Sequence, residues 1–73
     1  MTMNKKEKCA EVMGHYFGPV TAKLILESSD FDDIILGKCK AKLSVFFGKN
    51  KEGLLEKYVL FDDLEAKRLI FSK

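Results

Sequence analysis

The sequence predicts an all-α fold, a compact bundle of four to five short helices forming one small domain over residues 1–73. Three observations carry this. Apolar side chains recur at helical spacing through most of the chain. Glycine, proline, serine, asparagine and aspartate punctuate it where helices would stop and restart. Hydrophobic residues make up 47% and charged residues 33%, a folded composition rather than a disordered one. The alternative concerns the C-terminal end, where a β-hairpin competes with the last helices.

The first helix is placed at 5–17. Cys9, Val12, Met13, Tyr16 and Phe17 form its apolar stripe, and Asn4 or Thr2 would cap it. Gly14 on that helix would let a neighbour approach closely. Next comes the "FGP" break. Gly18 suits a helix-ending left-handed position, and Pro19 suits the first turn of the following helix, about 19–28. Val20, Leu24 and Ile25 are expected to face inward there.

Ser29 or Asp30 would cap a third helix, about 31–47, with Asp32 and Asp33 at its positive N-terminal end. Apolar residues cover well over half of its circumference, leaving a solvated arc near Asp33, Gly37, Lys40 and Ser44. Such a helix is expected to pack on more than one side, as the central element or at a dimer interface. Gly48 ends it, and Asn50 would cap a fourth helix of about 51–61. Asp62 followed by Glu65 reads as a capping box for a fifth, 63–71. "KYVLF" and "RLIF" are rich in β-formers, so "DDLEAK" is the turn of the competing hairpin. No repeat is evident along the chain.

Composition narrows the function. The net charge of +2, from 13 basic and 11 acidic residues, is too balanced to imply nucleic acid. Twelve of the basic residues are lysine, whereas base and phosphate recognition favours arginine. "GKCKAKL" is the one basic cluster, but Lys38 and Lys42 share a helix side and Lys40 points elsewhere. No apolar run approaches the roughly 20 residues of a membrane span, and the N-terminus lacks a signal-peptide core. The expectation is a cytoplasmic location with no membrane partner and two reduced, buried thiols, Cys9 and Cys39, whose pairing the sequence leaves open.

No motif carries chemistry. Cys9, His15 and Cys39 are the only soft metal-ligand candidates, and Cys9 and His15, six apart, do not share a helical face, so no metal site is expected. His15 is the only histidine, and no nucleophile motif surrounds it. Asp62 and Asp63 are adjacent and explained by capping. "FGKNKEG" lacks the spacing of a phosphate loop. A non-enzyme without a cofactor is expected.

"YFGPVTAKLI", Tyr16 to Ile25, resembles the Gly-Pro signature of a small helical module found at the ends of bacterial serine/threonine kinases and other signalling proteins. Thr21 stands as an insertion relative to its strictest form, and "FDDIILGKCKAKL" matches its next helix in apolar pattern only. The resemblance implies a regulatory or interaction domain without catalysis, and assigns no ligand.

The expected function is therefore a non-catalytic interaction or assembly module in cytosolic signalling, docking through apolar helix faces as a homodimer or on another protein. The surplus apolar residues Leu36, Phe46, Phe47 and Phe61, with Tyr16 and Phe17 at the corner, are the candidate contacts. The competing class is a helix-turn-helix-like nucleic-acid-binding regulator reading through 19–28 with Thr21 and Lys23.

Overall fold

The computed structural model describes residues 3–72. Its elements are α1 (Lys5–Phe17), α2 (Pro19–Glu27), α3 (Asp32–Phe47), α4 (Lys49–Phe61) and α5 (Leu64–Ile70). The alternative hairpin is not formed: there is no strand among the described residues. Leu55, Tyr58, Val59, Ala66 and Ile70 reach the core at helical rather than alternating spacing.

The helix ends show why each element starts and stops. Asn4 and Glu7 form a reciprocal capping box on α1: Asn4 Oδ1 accepts from the Glu7 N–H at 2.8 Å and Glu7 Oε1 accepts from the Asn4 N–H at 3.1 Å. The other proposed cap, Thr2, lies outside the described residues. Gly18 alone separates α1 from α2, at φ 100°, and its N–H donates to the Gly14 carbonyl at 3.0 Å. Lys6 donates to the Ser28 carbonyl at 2.8 Å, supplying a cation at the C-terminal end of α2, which has none of its own.

Three expected caps are displaced. Phe31, not Ser29 or Asp30, holds the N-cap position of α3. α4 begins at Lys49, directly after Gly48, which puts Asn50 inside the helix. Asp62 ends α4 in a left-handed conformation, φ 52°, and Asp63 is the residue that caps α5, accepting from the Glu65 and Ala66 N–H groups at 3.0 and 3.1 Å.

The centre of the molecule is α1, not the third helix. α1 packs against α2, α3 and α4 and buries Cys9, Ala10, Val12 and Met13. α3 buries only Ile35, Leu36, Cys39 and Leu43, along one side. Half of the arc expected to be solvated is so: Asp33 and Gly37 are exposed, but Lys40 and Ser44 are partly buried, and Lys40 pairs with Glu56 of α4 at 3.4 Å. The outer side of α3 instead carries Phe31, Ile34 and Val45.

The chain also contains a structural repeat that is not evident from its sequence. Gly48 repeats Gly18: φ/ψ is 93°/169° against 100°/169°, and each N–H donates four residues back at 3.0 Å. Shifting the first helix–glycine–helix unit by thirty residues superposes Lys8 on Lys38, Cys9 on Cys39, Phe17 on Phe47, Gly18 on Gly48 and Leu24 on Leu54. Two of these pairs come together inside the molecule. Cys9 and Cys39 belong to the same buried core cluster, and the Phe17 and Phe47 ring centroids are 5.8 Å apart. The molecule is thus two related helical hairpins packed face to face, with α5 added to the second.

Candidate protein-docking face

The two hairpins close differently. Where α4 meets α1, the buried Tyr58 hydroxyl donates to the Glu11 carboxylate. Burial, followed by this acceptor, pushes the Tyr58 hydroxyl well above its ordinary range, so it remains a neutral donor. Lys8, buried on α1, pairs with Asp62 at 3.0 Å and pins the end of α4. The equivalent junction is between α2 and α3. There the positions matching Tyr58 and Glu11 are Ser28 and Ala41, which carry neither a ring nor a carboxylate to bridge the helices.

This junction accordingly stands open. A cavity of about 240 Å³ lies between α2 and α3, with Met13, Ile35 and Cys39 among its lining, Leu24 and Ile25 on the α2 side, and Lys38 and Lys42 on the α3 side. Lys38 pairs with Asp30 at 3.0 Å across one end, and that contact holds the Asp30 carboxyl below its ordinary range. The Lys42 ammonium sits 4.5 Å from the centroid of the Phe17 ring.

The surface flanking the cavity is apolar. No residue of α2 is fully buried, and Val20 and Leu24, expected to face inward, are exposed. On α3, Phe31 is 81% and Val45 80% exposed, with Ile34 and Phe46 also open. Phe31, Ile34, Lys38, Ala41 and Val45 recur at alternating spacings of three and four, the seam of a helix that pairs with another helix.

The residues singled out from sequence divide into three groups. Leu36 is corrected: at 6% exposure it belongs to the core and is not a contact. Tyr16, Phe17, Phe46 and Phe47 converge at the two glycine corners. Tyr16 and Phe47 centroids lie 4.8 Å apart, Phe17 and Phe46 5.5 Å, and the Tyr16 hydroxyl donates to the Ile70 carbonyl. Tyr16 and Phe17 are half-buried there, while Phe46 and Phe47 keep exposed edges. Phe61 is 75% exposed beside Leu64 at the α4–α5 corner, apart from the α2–α3 face.

Val20, Leu24, Phe31, Ile34 and Val45 were not singled out. The signal for the last three is the three-four run through Phe31, Ile34, Lys38, Ala41 and Val45, masked because the same helix also carries a core stripe.

The polar candidates hold no reactive constellation. His15, exposed in the last turn of α1, packs edge-on to Tyr16 and Phe71, each at 5.1 Å. Asp62 and Asp63 are engaged by Lys8 and by the α5 N-terminus. Among the described residues, no three His, Cys, Asp or Glu side chains are arranged to hold a metal ion. No helix among them is long and apolar enough to cross a membrane. No protein-family model matches the chain, and neither does any curated protein or solved structure.

Proposed function

We propose that this chain is a non-catalytic assembly module that docks through the α2–α3 face, with a second copy as the occupant. The observation that carries this is the set of large apolar side chains left open there: Val20, Leu24, Phe31, Ile34, Val45 and Phe46. Together they offer an area on the order of 700 Å², close to the ~800 Å² per partner of a stable interface.

Charge selects the arrangement. Asp30, Asp32 and Asp33 stand at the start of α3, and Lys42 and Lys49 towards its end. Two copies of α3 running antiparallel set the acidic end of each against the basic end of the other, with opposed helix dipoles. A parallel pair would set like charges together. Lys38, at the middle of the seam, has its ammonium drawn aside to Asp30.

The resemblance of residues 16–25 to a signalling-protein module supports an interaction role. The nucleic-acid reading draws less support: α2 exposes Val20, Leu24 and Leu26 around Lys23, which suits apolar contact rather than base edges.

Sedimentation across a concentration series, at low and moderate salt, tests the proposal. The wild-type mass is expected to rise from one chain to two. Val45→Glu, at a solvent-facing position, is expected to remain a single chain with unchanged helical circular dichroism. A wild type that stays monomeric throughout would overturn self-association, and a Val45→Glu dimer would move the interface elsewhere.

A further inference from the structure

The α2–α3 cavity has an apolar middle and polar groups at both ends. Leu24 and Ile25 line it from α2, Ile35 and Cys39 from α3, and Met13 from α1. At one end Lys38 pairs with Asp30 at 3.0 Å, and the Ser28 hydroxyl accepts from the Asp30 N–H at 3.2 Å. At the other end the Lys42 ammonium lies 4.5 Å from the Phe17 ring centroid. Thr21, four residues after Phe17, lines the cavity there with its hydroxyl.

The two ends differ in charge. Asp30 compensates Lys38. Lys42 touches a ring, and no carboxylate pairs with it among the described residues. An aromatic face attracts an ammonium without neutralising its charge. The cavity therefore offers apolar walls, one compensated cation and one uncompensated cation. Its complement is an apolar body with a single negative charge. A lone lysine suits a carboxylate, whereas a phosphate group is better met by arginine or by several donors at once.

We infer that the cavity binds a small unbranched aliphatic carboxylate, its chain between α2 and α3 and its head group on Lys42. Size agrees. A dry apolar cavity of about 150 Å³ already takes benzene, and this one holds about 240 Å³. From Thr21 to Ser28, α2 spans about 10 Å along the cavity, which suits a chain of about eight carbons. Asp30 fixes the direction: a carboxylate at its end would meet a like charge, so the head group goes to the Lys42 end. The Thr21 hydroxyl supplies a second donor there. This inference does not rest on self-association, because the seam residues Phe31, Ile34 and Val45 do not line the cavity.

The test titrates the isotope-labelled chain with sodium octanoate, and with octanol as the uncharged probe, following amide NMR shifts. It is run at a concentration where sedimentation finds a single chain. Saturable one-site shifts are expected at Thr21, Leu24, Ile25 and Cys39. Octanoate is expected to bind about fivefold more tightly than octanol, the scale of one exposed ion pair, and added salt should narrow the difference. Lys42 is exposed, so Lys42→Met keeps the fold; it should bind octanol as before and lose the preference for the acid. Lys23→Met, at an exposed α2 position outside the cavity, should behave as the wild type. Shifts that never saturate, or that spread to the exposed Phe61–Leu64 corner, would overturn the inference. So would equal binding of acid and alcohol, a Lys42→Met chain that keeps the preference, or binding that occurs only when two chains associate.

Discussion

The two helix–glycine–helix hairpins share a corner geometry and a set of matched residues, yet one is closed and the other open. α4 lies down on α1, held by Tyr58–Glu11 and Lys8–Asp62 and covered in part by α5. α2 packs on α1 but stands away from α3, leaving a cavity and an apolar rim. The difference shows that hydrophobic content does not decide burial by itself. α2 and α3 are the more apolar helices by sequence, and they carry the exposed face. α1, less apolar than either and with five charged residues in thirteen, is the centre. What decides is whether long polar side chains bridge the junction and whether a further helix covers it.

The sharpest way to break this comparison is to truncate the bridge. Tyr58 is almost fully buried, so Tyr58→Ala removes a packed ring and leaves Glu11 without its donor. Destabilisation of about 3–5 kcal/mol is expected in denaturant titrations. Leu24→Ala, on the open side, should cost about 0.5 kcal/mol or less in a monomer, because the side chain is already largely in water. Equal costs would mean that α2 closes in solution as α4 does.

Much of this was legible in the sequence. The bounds of α1, the Gly18–Pro19 corner and the general helical class follow from stripe spacing and end signals that act locally. The choice of α1 over α3 as centre does not, because an apolar stripe says that a face is sticky and not which neighbour covers it. Leu36 shows the limit on one helix: it and Phe46 look alike as surplus apolar residues, and only tertiary packing sends one to the core and the other outward. The repeat escaped notice because it rests on a few matched positions, such as Cys9/Cys39 and Phe17/Phe47, scattered among unlike residues. The cap displacements at Asp63 and Phe31 are one-residue shifts that neighbouring acidic or polar residues make ambiguous.

Glycines give the next contrast. A Cβ added at Gly14 would lie 3.0 Å from the Cβ of Ala22, at the close crossing of α1 and α2. Gly14→Ala therefore pushes apart the only substantial packing that α2 has, and a cost of about 1–3 kcal/mol is expected. Gly37, on the outer part of α3, meets nothing within 4 Å. Gly37→Ala is expected to stabilise by up to about 1 kcal/mol through helix propensity. Thermal melts of both variants, read by circular dichroism, check the opposite signs. A stabilised Gly14→Ala would show that the α1–α2 crossing has room to relax.

The smallest effect concerns the two matched lysines. Lys8 is buried and ties down the closed half, while Lys38 is exposed and reaches only Asp30. The hydrogen bond and charge of Lys38 still hold the Asp30 carboxyl below its ordinary value of 3.8. A depressed folded value means that this pair stabilises the fold above pH 3.8 and loses its contribution as pH falls through the lower folded value. Asp30 lies at the exposed rim of the cavity, so solvent screening keeps the effect on stability slight. Its titration is the better readout. A carboxyl NMR titration is expected to place the Asp30 midpoint below 3.8 in the wild type and to return it towards 3.8 in Lys38→Met. An Asp30 midpoint that ignores the substitution would mean that the lysine does not span the end of the cavity in solution. The open half would then lack even this one polar clasp, and its shape would be set by the α1–α2 crossing alone.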